Sequence, residues 1–306
     1  MADVVGRRSR AEVTAGGKSA PADGAAWVKS ERQLDRERRR RRAGVRSASL
    51  ATASTVLFAA VVAAVVLSSP GWPRVRETFF SWGEFGDAFP DVLRGFWLNV
   101  QIFLIAEPVI LAVGLLVALA RGVRSPLFFP LRALAVAYTD VFRGIPTILL
   151  VYLVGFGLPA LRLQGVPDSP AVLGGFALVL SYGAYVAEVF RAGIDSIHPS
   201  QRAAARSLGL SRAQSLRFVV LPQAVRRVVP PLLNDFASLQ KDTALVAVLG
   251  PLEALRQAQI HSSATFNYTP FLASAVLFIA LTVPMARFTD HLAARAERRR
   301  APGGGT

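Results

Sequence analysis

Apolar residues in this chain are gathered into six runs, at residues 48–67, 96–120, 133–158, 171–190, 225–249 and 271–288. Each is near the ~20 residues that carry a helix across the hydrocarbon core. Lipid offers backbone groups no partner, so each run predicts a helix. Pro70 and Pro73 close the first run and Pro159 the third, while Pro230 and Pro231 predict a kink in the fifth. Residues 71–94 are mixed and aromatic, with Trp72, Phe79, Phe80, Trp82, Phe85 and Phe89, which suits a segment lying at the lipid–water interface. Residues 1–46 are rich in Gly, Ala, Ser and Arg and lack apolar periodicity. They predict a disordered tail with a short charged helix over residues 30–42. A cleaved signal sequence would need a much shorter charged region and a small-residue cleavage site, so the first run is read as a retained helix.

The expected fold is an all-α integral membrane protein with about six transmembrane helices, which puts both termini on one side. Charge selects the side. The chain carries 35 Lys and Arg against 20 Asp and Glu. With both ends inside, the basic tail with its run from Arg38 to Arg42, then Arg121, Arg124 and Arg132, the stretch from Arg191 to Arg227, and the C-terminal Arg295 and Arg298 to Arg300 are all cytoplasmic. Only Arg74, Arg76, Arg94, Arg162 and Arg256 are left outside, the asymmetry that orients membrane proteins. The same distribution accounts for the net charge of +15 without nucleic acid as a partner.

Cysteine is absent and the three histidines, His198, His261 and His291, are scattered. Disulfides and thiolate chemistry are excluded, and no metal centre or cofactor is expected. No phosphate-cradling GxxxxGK[ST] loop occurs, and no nucleophile–base arrangement is visible, so the chain reads as non-catalytic.

One polar loop, residues 191–217, is too patterned to be a connector. Pro199 suits the first turn of a helix, Ser200 to Leu208 are good helix formers around Ala203, Ala204 and Ala205, and Gly209 suits the left-handed residue that ends it. Ser211 and Gln214 form a capping-box pair that starts a second segment, which Leu221 and Pro222 end. Arg202 and Arg206 are four apart and share a face. A short helix with alanines and Leu208 on its surface suits docking into a shallow groove of a soluble partner.

This stretch, with Ala203-Ala204-Ala205, Gly209, Val219 and Leu221-Pro222 at their spacings, resembles the EAA loop of bacterial ABC importer permeases. YTDVFRGIP (138–146), SYGAYVAEVFRAGI (181–194), LPQAVRRVVPPLLN (221–234) and LQKDTALVAVLG (239–250) resemble motifs of the polar amino acid branch of that family, the histidine, glutamine, glutamate and arginine permeases. The resemblance covers roughly residues 94–290. It implies a type I importer permease with a five-helix core, in a bacterial cytoplasmic membrane, and a coupling loop at residues 191–222. Pro199, Arg202, Ala203, Ala204, Ala205, Arg206, Leu208, Gly209, Leu221 and Pro222 would meet a separate ABC ATPase. The implied further partners are an extracytoplasmic solute-binding protein, a second permease (a copy or a relative), membrane lipid and an amino acid substrate, with glutamate and glutamine as candidates. Ala203 stands where the family has a glutamate, which removes an ion pair at that position. The helix at residues 47–68 and the tail before it precede the family's core; residues 291–306 form a basic C-terminal tail.

Charges inside apolar runs are costly and therefore informative. Glu107 lies in the second run, Asp140 and Arg143 in the third, Asp235, Lys241 and Asp242 in the fifth. Internal ion pairing is one reading. The other is a polar route for a zwitterionic solute, with Asp140, Arg143, Lys241 and Asp242 as its candidates. A secondary transporter or a non-transporting membrane anchor would need no patterned helix-Gly-helix loop.

Overall fold

The computed structural model describes residues 31–123, 125–165 and 167–298, and among them every regular element is helical. The chain divides into two units, Met1–Pro70 and Gly71–Thr306. In the first, α1 (Glu31–Leu67) is one continuous helix, about 56 Å long at 1.5 Å per residue. Its second half, Ser49–Leu67, is long and apolar enough to cross a bilayer. The charged segment and the apolar run are thus joined in a single rod from Glu31 onward. Of the tail expected over residues 1–46, residues 31–46 are instead part of α1, while residues 1–30 and the end of the basic C-terminal tail from residue 299 lie outside the described residues.

The second unit contains α2 (Trp72–Phe79), α3 (Trp82–Gly122), α4 (Phe129–Gly144), α5 (Thr147–Ala160), α6 (Pro170–Asp195), α7 (Pro199–Ser207), α8 (Arg212–Ser215), α9 (Leu221–Asp242), α10 (Ala254–Thr265) and α11 (Thr269–Arg298). By length and apolarity, Trp72–Gly122, Pro170–Asp195 and Thr269–Leu292 qualify as spans beside Ser49–Leu67. Pro126–Gly144 and Thr147–Ala160 add a fifth if they count as one, since they are bent by 109° at their junction.

Side-chain contacts decide how the chain runs. α3 and α6 lie in the same direction: Ile102 is level with Gly175, Gly114 with Val186, and Arg121 with Glu188. The chain must therefore return between them. Arg143 at the end of α4 reaches Glu188, Thr147 at the start of α5 is 3.0 Å from Ser181, and Val151 and Val154 pack with Ala177. α5 therefore runs antiparallel to α6, and α4 meets α5 at the 109° bend. The break falls at Ile145-Pro146, where proline disfavours a helical residue before it.

α9 makes the second return. Val228 packs on Gly193, Asp242 accepts from Tyr182, and the 3-10 turn Thr243–Leu249 brings Val246 against Gly174. Arg226, Arg227, Asn234, Asp235, Gln240, Lys241 and Asp242 make it too polar to qualify as a span by composition. It packs against α3, α6 and α11, with Leu239 and Gln240 fully buried, so much of its polar surface never meets lipid. Four or five spans thus qualify on composition where about six were expected. The second unit nonetheless has five lengthwise passes: α3, α4 with α5, α6, α9 and α11.

α3 has 41 residues, or about 61 Å, roughly twice the hydrocarbon thickness. Its first half forms an end cap with α10 and the start of α11, around Ala88, Val92, Ala254, Ala258 and Ala273 under Phe85 and Phe89. The aromatic segment expected along the interface is therefore mostly helix, capped by Ser81, whose side chain accepts from the Glu84 N–H.

Small residues allow these close approaches, as in other membrane helix pairs. At Gly95 the neighbour is backbone: an added Cβ would lie 2.6 Å from the Glu253 carbonyl carbon. At Gly86 nothing lies within 4 Å. Gly95→Ala is expected to destabilise the detergent-solubilised chain by about 1–3 kcal/mol through overpacking. Gly86→Ala should leave it unchanged or slightly more stable. Thermal unfolding followed by tryptophan fluorescence measures both, and equal melting points would contradict the packing described.

Candidate functional site

The loop between α6 and α9 is built from local signals that all point one way. His198 caps α7, its ring nitrogen accepting from the Ser200 N–H, and Pro199 occupies the first turn. At the far end the N–H groups of Leu208, Gly209 and Leu210 donate to the carbonyls of Ala204, Arg206 and Ala205. This return requires Gly209 at φ +82, the left-handed region that glycine enters without penalty. Ser211 and Gln214 exchange reciprocal bonds of 2.8 and 3.2 Å, the expected capping box, and start α8. Contrary to expectation, Leu221 and Pro222 do not end this second segment. A π turn, Leu216–Val220, leads directly into α9, and Pro222 sits in the first turn of α9, where its missing N–H costs nothing.

α7 has an inner and an outer side. Ala205 is buried, and beneath the loop Ile197, Val220 and Ala224 form a small core with Ile194. Arg202 and Arg206 part company. Arg202 turns inward and donates to the Ile194 carbonyl at 2.9 Å, whereas Arg206 is exposed. Arg227 of α9 likewise donates to the Ser196 carbonyl. Two arginines therefore satisfy the free carbonyls at the end of α6, where the helix dipole also favours positive charge. Ala203, Ala204, Arg206 and Leu208 remain on the outer side, with Leu208 83% exposed. Leu221 and Pro222 are exposed as well.

The four charges proposed for a route do not pair with one another. Asp140 and Lys241 are exposed, and no ion pair joins either to another described residue. Asp242 accepts a 2.8 Å bond from Tyr182. Arg143 lies 3.5 Å from Glu188, whose same oxygen takes a 2.6 Å contact from Arg121. Asp235 keeps one carboxylate oxygen buried and without a partner. Glu188 is a residue that sequence reasoning missed, although an acid inside the apolar run at 171–190 was itself the signal.

A second missed cluster is wholly buried. Asn99 of α3 donates to Glu253 at 2.9 Å and to Thr243 at 3.3 Å, and accepts from the Ala254 N–H. Glu253 caps α10 by accepting from the N–H groups of Leu255 and Arg256. Burial pushes the pKa of the Glu253 carboxyl above the usual glutamate value, and these hydrogen bonds offset only part of the rise. The cluster fastens the turn after Leu249 to α3. A glutamate after Pro251-Leu252 and an asparagine one turn beyond Gly95 carry no motif that would have singled them out. Among the described residues no three His, Cys, Asp or Glu side chains are grouped to hold a metal ion.

Gly209→Val forces a β-branched residue into the left-handed region, at about 1–2 kcal/mol. Faster amide hydrogen exchange confined to residues 199–215 is the expected result, with α3 and α6 unchanged. Unaltered exchange there would rule out the cap described.

Comparison with known proteins gives three findings. Residues 110–298 match the family model described as "Binding-protein-dependent transport system inner membrane component". The chain is 34% identical over 215 residues to the probable glutamine ABC transporter permease protein GlnM of Bacillus subtilis (strain 168), covering 69% of this chain and 96% of that protein. It is 32% identical to the arginine transport system permease protein ArtQ of the same organism, over 63% of this chain and 87% of that one. Among solved structures, one described as an amino acid ABC transporter with histidines matches with a TM-score of 0.64 at 30% identity, covering 70% of this chain and 98% of that one.

Proposed function

The chain belongs to the family of binding-protein-dependent transport system inner membrane components, as a multi-pass ABC importer permease of the amino acid branch, and on that premise we propose how it couples and what it passes. The solute is a polar amino acid, with glutamine and arginine as first candidates by the names of its relatives. The energy comes from ATP hydrolysed by a separate ATPase, and this chain holds no catalytic residue. The observation that carries the reading is the outer side of α7. An apolar Leu208 and two alanines project from a short helix that the chain anchors firmly on its other side. An exposed leucine beside Arg206 is the surface of a helix that seats in another protein's groove.

Ala203, Ala204, Arg206 and Leu208 are the contacts in this proposal, while Pro199, Arg202, Ala205, Gly209, Leu221 and Pro222 shape the loop. Coupling then follows mechanically. A push on α7 is delivered through Arg202 to the end of α6 and through the Ile197, Val220 and Ala224 core to α9. Both α6 and α9 are long passes; α9 carries Lys241 and Asp242, and α6 holds Arg143 and Asp242 through Glu188 and Tyr182. A solute-binding protein delivers the amino acid at the opposite end, and a second permease, identical or related, completes the route beside Asp140 and Lys241. Both termini lie in the cytoplasm. Residues 94–290 are the importer core, and the helix at residues 47–68 with its basic tail is an addition to it.

Leu208→Asp places a charge in an apolar groove, and about 1–3 kcal/mol of lost docking lowers amino acid uptake by about tenfold or more. The protein should still reach the membrane in normal amount. Uptake at the parental rate in reconstituted vesicles with the ATPase would end the coupling proposal. Orientation is tested on the cysteine-free chain. Cysteine at Gln164 or Ser263, both exposed, should react with an impermeant thiol reagent in whole cells, and cysteine at Ala213 should not. The reverse pattern would invert the topology.

A further inference from the structure

Five arginines gather at the last turns of α6, and three of them have their partners there in full. Arg202 and Arg227 satisfy the carbonyls of Ile194 and Ser196, and Arg191 pairs with Asp195 at 3.2 Å on α6 itself. The remaining two meet a single carboxylate oxygen. Arg121, from the end of α3 and only 14% exposed, lies 2.6 Å from Glu188 Oε2. Arg143, 40% exposed, lies 3.5 Å from the same atom. Glu188 is neutralised by the nearer arginine, so the three residues together carry one uncompensated positive charge. No other carboxylate of the described residues lies within ion-pair distance of Arg143.

The placement of Arg143 is as informative as its charge. It occupies the last turn of α4, directly before the break at Ile145-Pro146. Its guanidinium carbon is 5.7 Å from the centre of the Tyr185 ring, and Tyr185 Oη donates to the Arg143 carbonyl at 3.3 Å. Glu188 and Tyr185 are one turn apart on α6 and hold the side chain from two sides. A guanidinium has five donors in a planar fork, and one contact of 3.5 Å leaves most of them free. The side chain is 40% exposed, so the free part of the fork is open to a further anion. Every amino acid carries an α-carboxylate whatever its side chain, and the fork matches that group in two parallel bonds.

We propose that Arg143 takes the α-carboxylate of the passing amino acid, and that Glu188, saturated by Arg121, is the residue that positions it. This rests on the importer reading above. Arg143 thereby recognises what all amino acids share and leaves choice among side chains to other parts of the system. The weak hold on Glu188 suits the role, because a guanidinium in two short bonds to its own chain would have no fork left to offer.

The test uses the whole complex, permease with ATPase and binding protein, in discs of phosphatidylcholine so that no anionic lipid competes for the arginine. The partner subunits are made free of cysteine, as this chain already is. Gly144→Cys supplies a reporter beside Arg143, since a Cβ there meets nothing within 4 Å. An anionic sulfonatoethyl thiosulfonate should label it about tenfold faster than a cationic trimethylammonioethyl one. Arg143→Gln should abolish that preference, and Arg143→Lys, which keeps the charge, should retain it. Glutamine or arginine, whichever the complex takes up into proteoliposomes, should slow labelling, while its α-carboxamide should not. That difference should vanish in Arg143→Gln and weaken in Glu188→Gln. Equal protection by acid and amide, or acid-specific protection surviving in Arg143→Gln, overturns the assignment of the carboxylate and leaves the importer reading intact. A complex that takes up none of the twenty amino acids sinks both.

Discussion

The contacts of α6 with its neighbours depend on side chains that are missing. At Gly174, Gly183 and Gly193 the surface of α6 is bare, and Val246, Tyr138 with Val113, and Val228 fill those places. Lipid tails are as apolar as leucine, so helices gain nothing merely by hiding apolar surface from their surroundings. What remains is close packing, and it acts over the whole length of α6. α3 lies parallel to it, while α5 and α9 run back along it. The directions of α3, α5 and α9 follow from their contacts with α6.

Packing of that kind has a consequence for polar residues. α9 carries enough charge to fail as an isolated span, yet it holds its place because α3, α6 and α11 surround much of it. Gln240 is fully buried and accepts from Thr282, and Asn99 with Glu253 fastens the following turn. Each buried polar group of this kind would cost a few kcal/mol if left alone in hydrocarbon. The polar residues that find such partners are structural. Asp140 and Lys241, both exposed, have no ion-pair partner among the described residues.

The two ends of the second unit are built differently. At one end the long α3, α10 and the start of α11 form a cap over an alanine-rich core. At the other, two arginines draw α7 and α9 onto the end of α6. Between the ends lies the break at Ile145-Pro146, which sets Arg143 and Thr147 on either side of a sharp bend and turns both toward α6. A straight helix would have carried one of them away. The loop and the bend are thus linked through α6, which touches the loop at its end and the bend along its side.

The membrane helices and the limits of α7 were legible in the sequence because they depend on neighbours in the chain. Length and apolarity decide whether a segment can cross, and a histidine or serine cap, a proline in the first turn and a glycine after the last decide where a short helix starts and stops. Pro199, Gly209 and the Ser211–Gln214 pair all acted locally and all appeared where their chemistry requires. The partners of the charges did not follow from the sequence. Arg202 and Arg206 are four residues apart, yet one turns inward because the carbonyl of Ile194 waits there, and the other faces out. Asp140 and Lys241, opposite in sign, do not meet, while Arg121 of α3 and Arg143 of α4 share Glu188 of α6. Periodicity assigns a residue to a face of its own helix, but which helix covers that face, and in which direction it runs, is decided by contacts between residues far apart in the chain, and those exist only once the bundle has closed.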